Sequence, residues 1–233
     1  MSEAPVIEAS EVVMRLGKGA GQVQALRGVN LTLNTGELTL LMGPSGSGKT
    51  TLLSILGCIL TPTEGAVRVC GKTTNGARAG DLAKLRRDHI GFIFQSYHLF
   101  PTLNALDNVR LALDVRGVRG ASAIAEATKV LATVGLAQKW DACPSELSGG
   151  EQQRVAIARA IVGNPSAVLA DEPTGALDGE NGRAVMTLLA NIAKDRSHSV
   201  LVVTHDPRVT PFADRIIHIE DGLIIGEERQ ELA

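Results

Sequence analysis

The chain has 233 residues, 44% hydrophobic and 21% charged, with a formal net charge of -2; this is the make-up of one sizeable globular domain, with or without an inserted lobe, and it argues against disorder. Near-neutral charge without a Lys/Arg run argues against binding to nucleic acid or to an anionic membrane surface by electrostatics alone. No apolar run approaches the roughly 18 residues that cross a bilayer, and the start MSEAPVIEASE lacks a basic and then apolar signal segment, so a cytoplasmic location is expected. Cys58, Cys70 and Cys143 are odd in number and have no metal-like spacing, which predicts reduced, partly buried thiols without a role in chemistry.

Taken in chain order, VIEASEVVMRL, VQALRGVNLTL and GAVRVCGK read as strands separated by Gly/Asn turns, predicting a mixed or antiparallel sheet beside the core. ELTLLMG, SAVLADE and SVLVVTHD are short, nearly continuous apolar runs, the pattern of parallel strands covered by helices on both faces. Helical periodicity predicts helices over 49–59, 123–134, 151–162 and 182–193. The alternation of the two patterns defines an α/β class. Residues 95–149 lack a strong buried strand, so a mostly helical subdomain over about 95–163 is expected, inserted between core segments 1–94 and 164–233 of one domain. IIHIEDGLII predicts a hairpin turning at Asp221-Gly222.

Gly43-Pro44-Ser45-Gly46-Ser47-Gly48-Lys49-Thr50 satisfies G-x-x-x-x-G-K-[ST], after a predicted strand and opening a predicted helix. In such a loop the main-chain N-H groups curl around a phosphate and the helix start adds partial positive charge. Lys49 is expected to neutralise the outer phosphates, the Thr50 hydroxyl to ligate magnesium, and Thr51 to touch the next phosphate inward. The fold expected is therefore a P-loop NTPase core of mixed sheet and helices, with an antiparallel β subdomain and an inserted α-helical subdomain.

SAVLADEP places Asp171 and Glu172 at the mouth of a buried strand, where ligands of such sheets bind. Asp171 is suited to hold magnesium through its waters, and Glu172 to polarise a water aimed at the terminal phosphate. His205 ends SVLVVTH; in a parallel sheet its imidazole reaches the same edge, where it can bond the terminal phosphate and orient Glu172. Gln95 follows an apolar run at the start of the helical segment, a position from which an amide can sense magnesium and phosphate.

LSGGEQQRVAIARA, residues 147–160, poses a separate question. Ser148 and Glu151 form a capping box, but Gly149 and Gly150 weaken the first turn and leave bare N-H groups, which attract an anion. The chain's own phosphates are already claimed by residues 43–51, so the simplest ligand is a nucleotide held by another copy.

With GPSGSGKT, Gln95, ADEPTGALD and His205 in this order and spacing, that run resembles the ATP-binding subunits of ABC transporters over essentially the whole chain. The resemblance implies two subunits packed head to tail, most simply a homodimer, with ATP and Mg2+ sandwiched between the loop of one and the signature helix of the other. Ser148 and Gly150 would then contact the γ-phosphate in trans, with Gly149 between them; Asp178 would couple the two sites, Glu172 would be the hydrolytic base, and Thr50, Gln95 and Asp171 would attend the metal. QSYHLFPTLNALDNV and ADEPTGALD look most like the subunits of lipoprotein-releasing and macrolide or peptide exporters. A separate integral membrane permease is implied, docked beside Gln95 and residues 97–108, with this chain peripheral on the cytoplasmic side of the inner membrane and no nucleic acid involved. The family's aromatic contact to adenine aligns with Leu16, so an aliphatic contact is expected, and Glu151 stands where Gln is common. A kinase or GTPase, a soluble non-transport ABC ATPase, and a regulator of division or envelope enzymes are the alternatives.

Overall fold

The computed structural model describes residues 4–195 and 198–230. In chain order the strands are β1 Ile7–Leu16, β2 Val23–Leu33, β3 Leu38–Met42, β4 Glu64–Val69, β5 Lys72–Thr73, β6 Ile90–Phe94, β7 Ala167–Asp171, β8 Ser199–Thr204, β9 Arg215–Glu220 and β10 Leu223–Arg229. The helices are α1 Lys49–Leu56, α2 Ala79–His89, α3 Ala105–Val115, α4 Gly120–Thr133, α5 Gly149–Ile161 and α6 Gly179–Lys194.

β2-β1-β4-β5 form an antiparallel sheet, and β10-β9-β3-β8-β7-β6 a second sheet in which all but β10 run parallel. The three apolar runs read from the sequence are its central strands, and all five residues of β3 are buried. Their side chains alternate between two cores, as strand geometry dictates. Leu38, Leu40, Val168, Ala170, Val200 and Val202 pack with the apolar faces of α3 to α6, whereas Leu41, Leu169, Leu201 and Val203 pack with α1 and the antiparallel sheet.

Register places the site. Met42 lies opposite Thr204, Val203 opposite Asp171, and Asp171 opposite Phe94, so Gly43, Glu172, His205 and Gln95 all leave one edge of the sheet. The Asp221-Gly222 hairpin is present, with Glu220 paired to Leu223 and both turn residues at positive φ (45° and 77°), the conformation a primed two-residue turn requires.

Several boundaries differ from expectation. α1 stops at Leu56 rather than reaching 59, because Cys58 takes a left-handed φ of 57°, which a continuing helix forbids. α4 and α6 begin three residues earlier than the apolar spacing suggests (Gly120 and Gly179); for α6 the reason is the Asp178 cap, whose side chain accepts the Asn181 N-H. α2 is absent from the sequence-based elements, since Leu85 is its one buried residue and it carries no apolar stripe to read.

Candidate functional site

The phosphate loop owes its shape to close approach. Gly48 sits at φ 99°, and a Cβ there would lie 2.5 Å from the Ala25 carbonyl oxygen, so neither the conformation nor the space admits a side chain. The first intrahelical bond of α1 runs from Leu52 N-H to the Gly48 carbonyl (2.9 Å), leaving the N-H groups of Lys49, Thr50 and Thr51 ahead of the helical ladder. The Lys49 ammonium donates to the carbonyls of Gly43 and Pro44, both at 2.7 Å. Burial lowers the Lys49 pKa, opposed by the charges of Glu172 and Asp171; among the described residues no carboxylate bonds the ammonium directly, and an arriving phosphate would add counter-charge that favours its charged form. Ser47 is buried with a hydroxyl that has no partner, and neither it nor Gly43 lines the open cavity of about 760 Å³ beside the loop.

That cavity collects Pro44, Ser45, Gly46, Gly48, Lys49, Thr50 and Thr51 with Gln95, Asp171, Glu172 and His205. The Thr50 hydroxyl lies 3.4 Å from Asp171 Oδ1. Burial raises the Asp171 pKa, and the Thr50 hydroxyl pulls it back. Among the described residues no group of three His, Cys, Asp or Glu could hold a metal. One carboxylate, one hydroxyl and the Gln95 amide form a sparse oxygen set, which fits a Mg2+ ion that keeps waters and takes its other ligands from phosphate.

Glu172 occupies left-handed backbone, φ 47°, held there by its N-H donating to the Val203 carbonyl at 2.9 Å. One carboxylate oxygen accepts the Thr204 hydroxyl at 3.0 Å, and the other meets His205 Nδ1 at 2.6 Å. Two consecutive residues of one strand end thus aim a single carboxylate into the cavity. Thr204 was not among the residues singled out from sequence; its place immediately before His205 was the available signal. The Gln95 amide rests on Gly175, where a Cβ would come within 2.8 Å of its nitrogen. Leu16 reaches the cavity mouth 40% exposed, at the β1 end paired with Val23.

Ser148, Gly149, Gly150 and Asp178 do not line that cavity. Ser148 caps α5: its hydroxyl oxygen accepts the Glu151 N-H (3.3 Å) while Glu151 Oε2 accepts the Ser148 N-H (2.9 Å). The glycine pair has an internal cause as well as an open N-terminus. A Cβ on Gly149 would lie 3.0 Å from the Tyr97 hydroxyl, and one on Gly150 would lie 2.5 Å from the Asn181 amide oxygen. Asn181 is in turn held by Asp178, through the backbone at 2.9 Å and the side chain at 2.8 Å, so the cap of α6 and the start of α5 abut. Asp178 lines a different cavity, of about 470 Å³, with Thr174 and Arg183.

With the phosphate loop leaving β3 and the acid pair leaving β7, parallel strands on either side of β8, at one edge of the sheet, the fold is that of a P-loop nucleoside triphosphatase. The chain belongs to the ABC transporter family, whose model matches residues 26–175. It is 44% identical over 227 residues to the macrolide export ATP-binding/permease protein MacB 1 of Aeromonas hydrophila, and 45% identical over 227 residues to MacB of Acinetobacter baylyi, covering 97% of this chain each time. It spans about a third of the length of these relatives, 35% and 34%. Among solved structures, the dimeric post-hydrolysis state of the ATP-binding cassette MJ0796 bound to ADP and Pi superposes with a TM-score of 0.86 at 42% identity, covering 97% of this chain and all of that one. The cassette cbiO1 of Clostridium perfringens, part of the transporter complex cbiONQ, superposes with a TM-score of 0.86 at 28% identity over 97% of this chain and 89% of its own.

Proposed function

We propose that this chain is an ATP-hydrolysing cassette that works as one of a pair and drives a membrane-embedded permease in export or membrane extraction of a macrolide, lipoprotein, peptide or lipid. One observation carries the reading: a phosphate cavity holds Lys49, Thr50, Asp171 and Glu172, while the capped start of α5, with exposed Ser148, half-buried Gly149 and buried Gly150, lies outside that cavity. A complete pocket requires a second copy to bring its helix start over the loop. The relatives named as macrolide exporters and the dimeric cassette support the cargo class and the pairing.

In this reading Lys49 exchanges the carbonyls of Gly43 and Pro44 for β- and γ-phosphate oxygens. Thr50 and Asp171, with Gln95, would hold Mg2+ among waters, and the ion would supply charge neutralisation at the phosphates. Glu172 accepts the proton of the attacking water, with its carboxylate direction set by Thr204 and His205. Ser148 and Gly150 of the partner copy cover the terminal phosphate, and Asp178 joins the two sites. Residues 95–163 serve as a helical subdomain carried by the core. The permease docks in the groove of about 680 Å³ whose lining includes Arg86, Arg87, Phe92, Phe94 and Phe100, with the chain peripheral on the cytoplasmic face. Among the described residues no helix is long and apolar enough to cross a membrane.

The test is Glu172→Gln. Turnover should fall by about 10² to 10⁴-fold while ATP binding persists and light scattering detects an ATP-dependent dimer. A protein that stays monomeric in saturating Mg-ATP refutes the reading. Identification of the integral membrane protein that co-purifies from native membranes decides between transport and envelope regulation.

A further inference from the structure

Glu151 creates a conflict at the start of α5. A carboxylate in the first turn suits its own helix, because it meets the positive end of the dipole and closes the capping box. The same carboxylate repels an anion approaching that helix start. Its two oxygens are both engaged: Oε2 accepts the Ser148 N-H at 2.9 Å, and Oε1 pairs with Lys139 Nζ at 2.9 Å. The Glu151 side chain is 19% exposed and the Lys139 side chain 46%, so the pair lies at the surface around the helix start. With the Ser148 N-H used internally and its oxygen accepting from Glu151, the exposed Ser148 hydroxyl proton and the backbone of half-buried Gly149 are what the helix start offers to an anion, Gly150 being buried behind them.

We propose that Lys139 is a positioning residue of the composite nucleotide site: it cancels the charge of Glu151, so that the capping box is kept without repelling the terminal phosphate carried by a second copy of the chain. This rests on the paired-cassette reading above. Lys139 lies outside the signature run and the phosphate cavity, and it acts through Glu151 rather than on the nucleotide held by its own chain.

The experiment measures, in the Glu172→Gln background, the ATP concentration that half-converts monomer to dimer. Lys139→Met should raise that concentration roughly three- to tenfold, less at high salt, as expected of an incompletely buried charge. Glu151→Gln should move it less than about twofold, and Lys139→Met/Glu151→Gln should return to the Glu151→Gln value, the coupling a double-mutant cycle detects. Lys139→Arg should behave as wild type, and the ATP affinity of the dilute monomer should be unchanged throughout, which a general structural defect would not allow. A dimer half-point unmoved by Lys139→Met, or a loss that persists with Glu151→Gln, overturns the assignment of Lys139 alone. Failure of the Glu172→Gln parent to dimerise overturns the paired reading and this inference with it.

Discussion

The amide nitrogen of Gln153 donates to the carbonyl of Pro173 across 2.8 Å, with the Gln153 side chain wholly buried. Pro173 directly follows Glu172, so the signature helix is fastened to the segment that carries the acid. Gln153→Leu strands that carbonyl away from water and should cost about 1–3 kcal/mol. Urea unfolding reads the loss as a lower midpoint, and turnover should fall with it; a wild-type midpoint would show that the bond contributes nothing.

Asp171 sits where burial disfavours its charged form. A carboxyl whose pKa is raised on folding contributes stability that is present below its unfolded pKa and lost as pH rises through the folded value. At pH 7 its ionisation therefore weakens the free protein. Asp171→Asn should melt at a higher temperature than wild type near neutrality, with the difference vanishing below about pH 3 to 4, where free aspartate is protonated too. The same variant should lose Mg-dependent turnover. Calorimetry across pH, beside an ATPase assay, checks both halves.

Leu16 presents an aliphatic face at the cavity mouth where a ring could stack on a base. Leu16→Tyr should tighten ATP binding to the monomer about two- to tenfold, the value of an aromatic pair beyond area burial. Titration with ATP and with ribose triphosphate lacking the base separates the effect from phosphate contacts; equal gains for the two would place the base elsewhere.

Cys58, at the end of α1, is buried, and burial lifts its thiol from 9.0 to about 11, partly opposed by Arg86. The folded state keeps a proton that the unfolded chain releases, so the associated stability is complete below about pH 9 and disappears as pH rises through about 11. Between those values the wild type should lose on the order of 2 kcal/mol more than Cys58→Ala. Denaturant midpoints at four alkaline pH values measure the slope, and parallel slopes would assign the thiol an ordinary environment. Native Cys58 should also alkylate slowly at pH 8, since the thiolate is scarce and enclosed.

Much of this architecture was legible because the central strands are buried on both faces: Leu38–Met42 is apolar at four of its five positions and announces itself without alternation. The hairpin was legible for a local reason, since Asp-Gly satisfies its turn without help from the rest of the fold. α2 was not, because its charged surface leaves one buried residue and no periodicity. At the candidate site, the loop and acid pair stand out by residue type and spacing, and the fold brings them to one cavity. Thr204 and Lys139 act through partners 32 and 12 residues away, Glu172 and Glu151, which no short window contains. The glycine pair marks the intermediate case: N-H groups without an intrahelical partner follow from helix geometry, whereas the burial of Gly150 and the contacts to Tyr97 and Asn181 require the packed fold.

Arg159, on the last turns of α5, donates to the carbonyls of His98 and Tyr97 at 2.6 and 2.7 Å, while Asn108 pins the neighbouring turn through the N-H and carbonyl of Phe100. The stretch after Gln95 is thereby riveted to the helix whose opposite end carries the two glycines. Anything seated against Phe100 therefore bears on a stretch anchored to the base of a helix about 20 Å long, thirteen residues at 1.5 Å each, whose far end is the glycine pair.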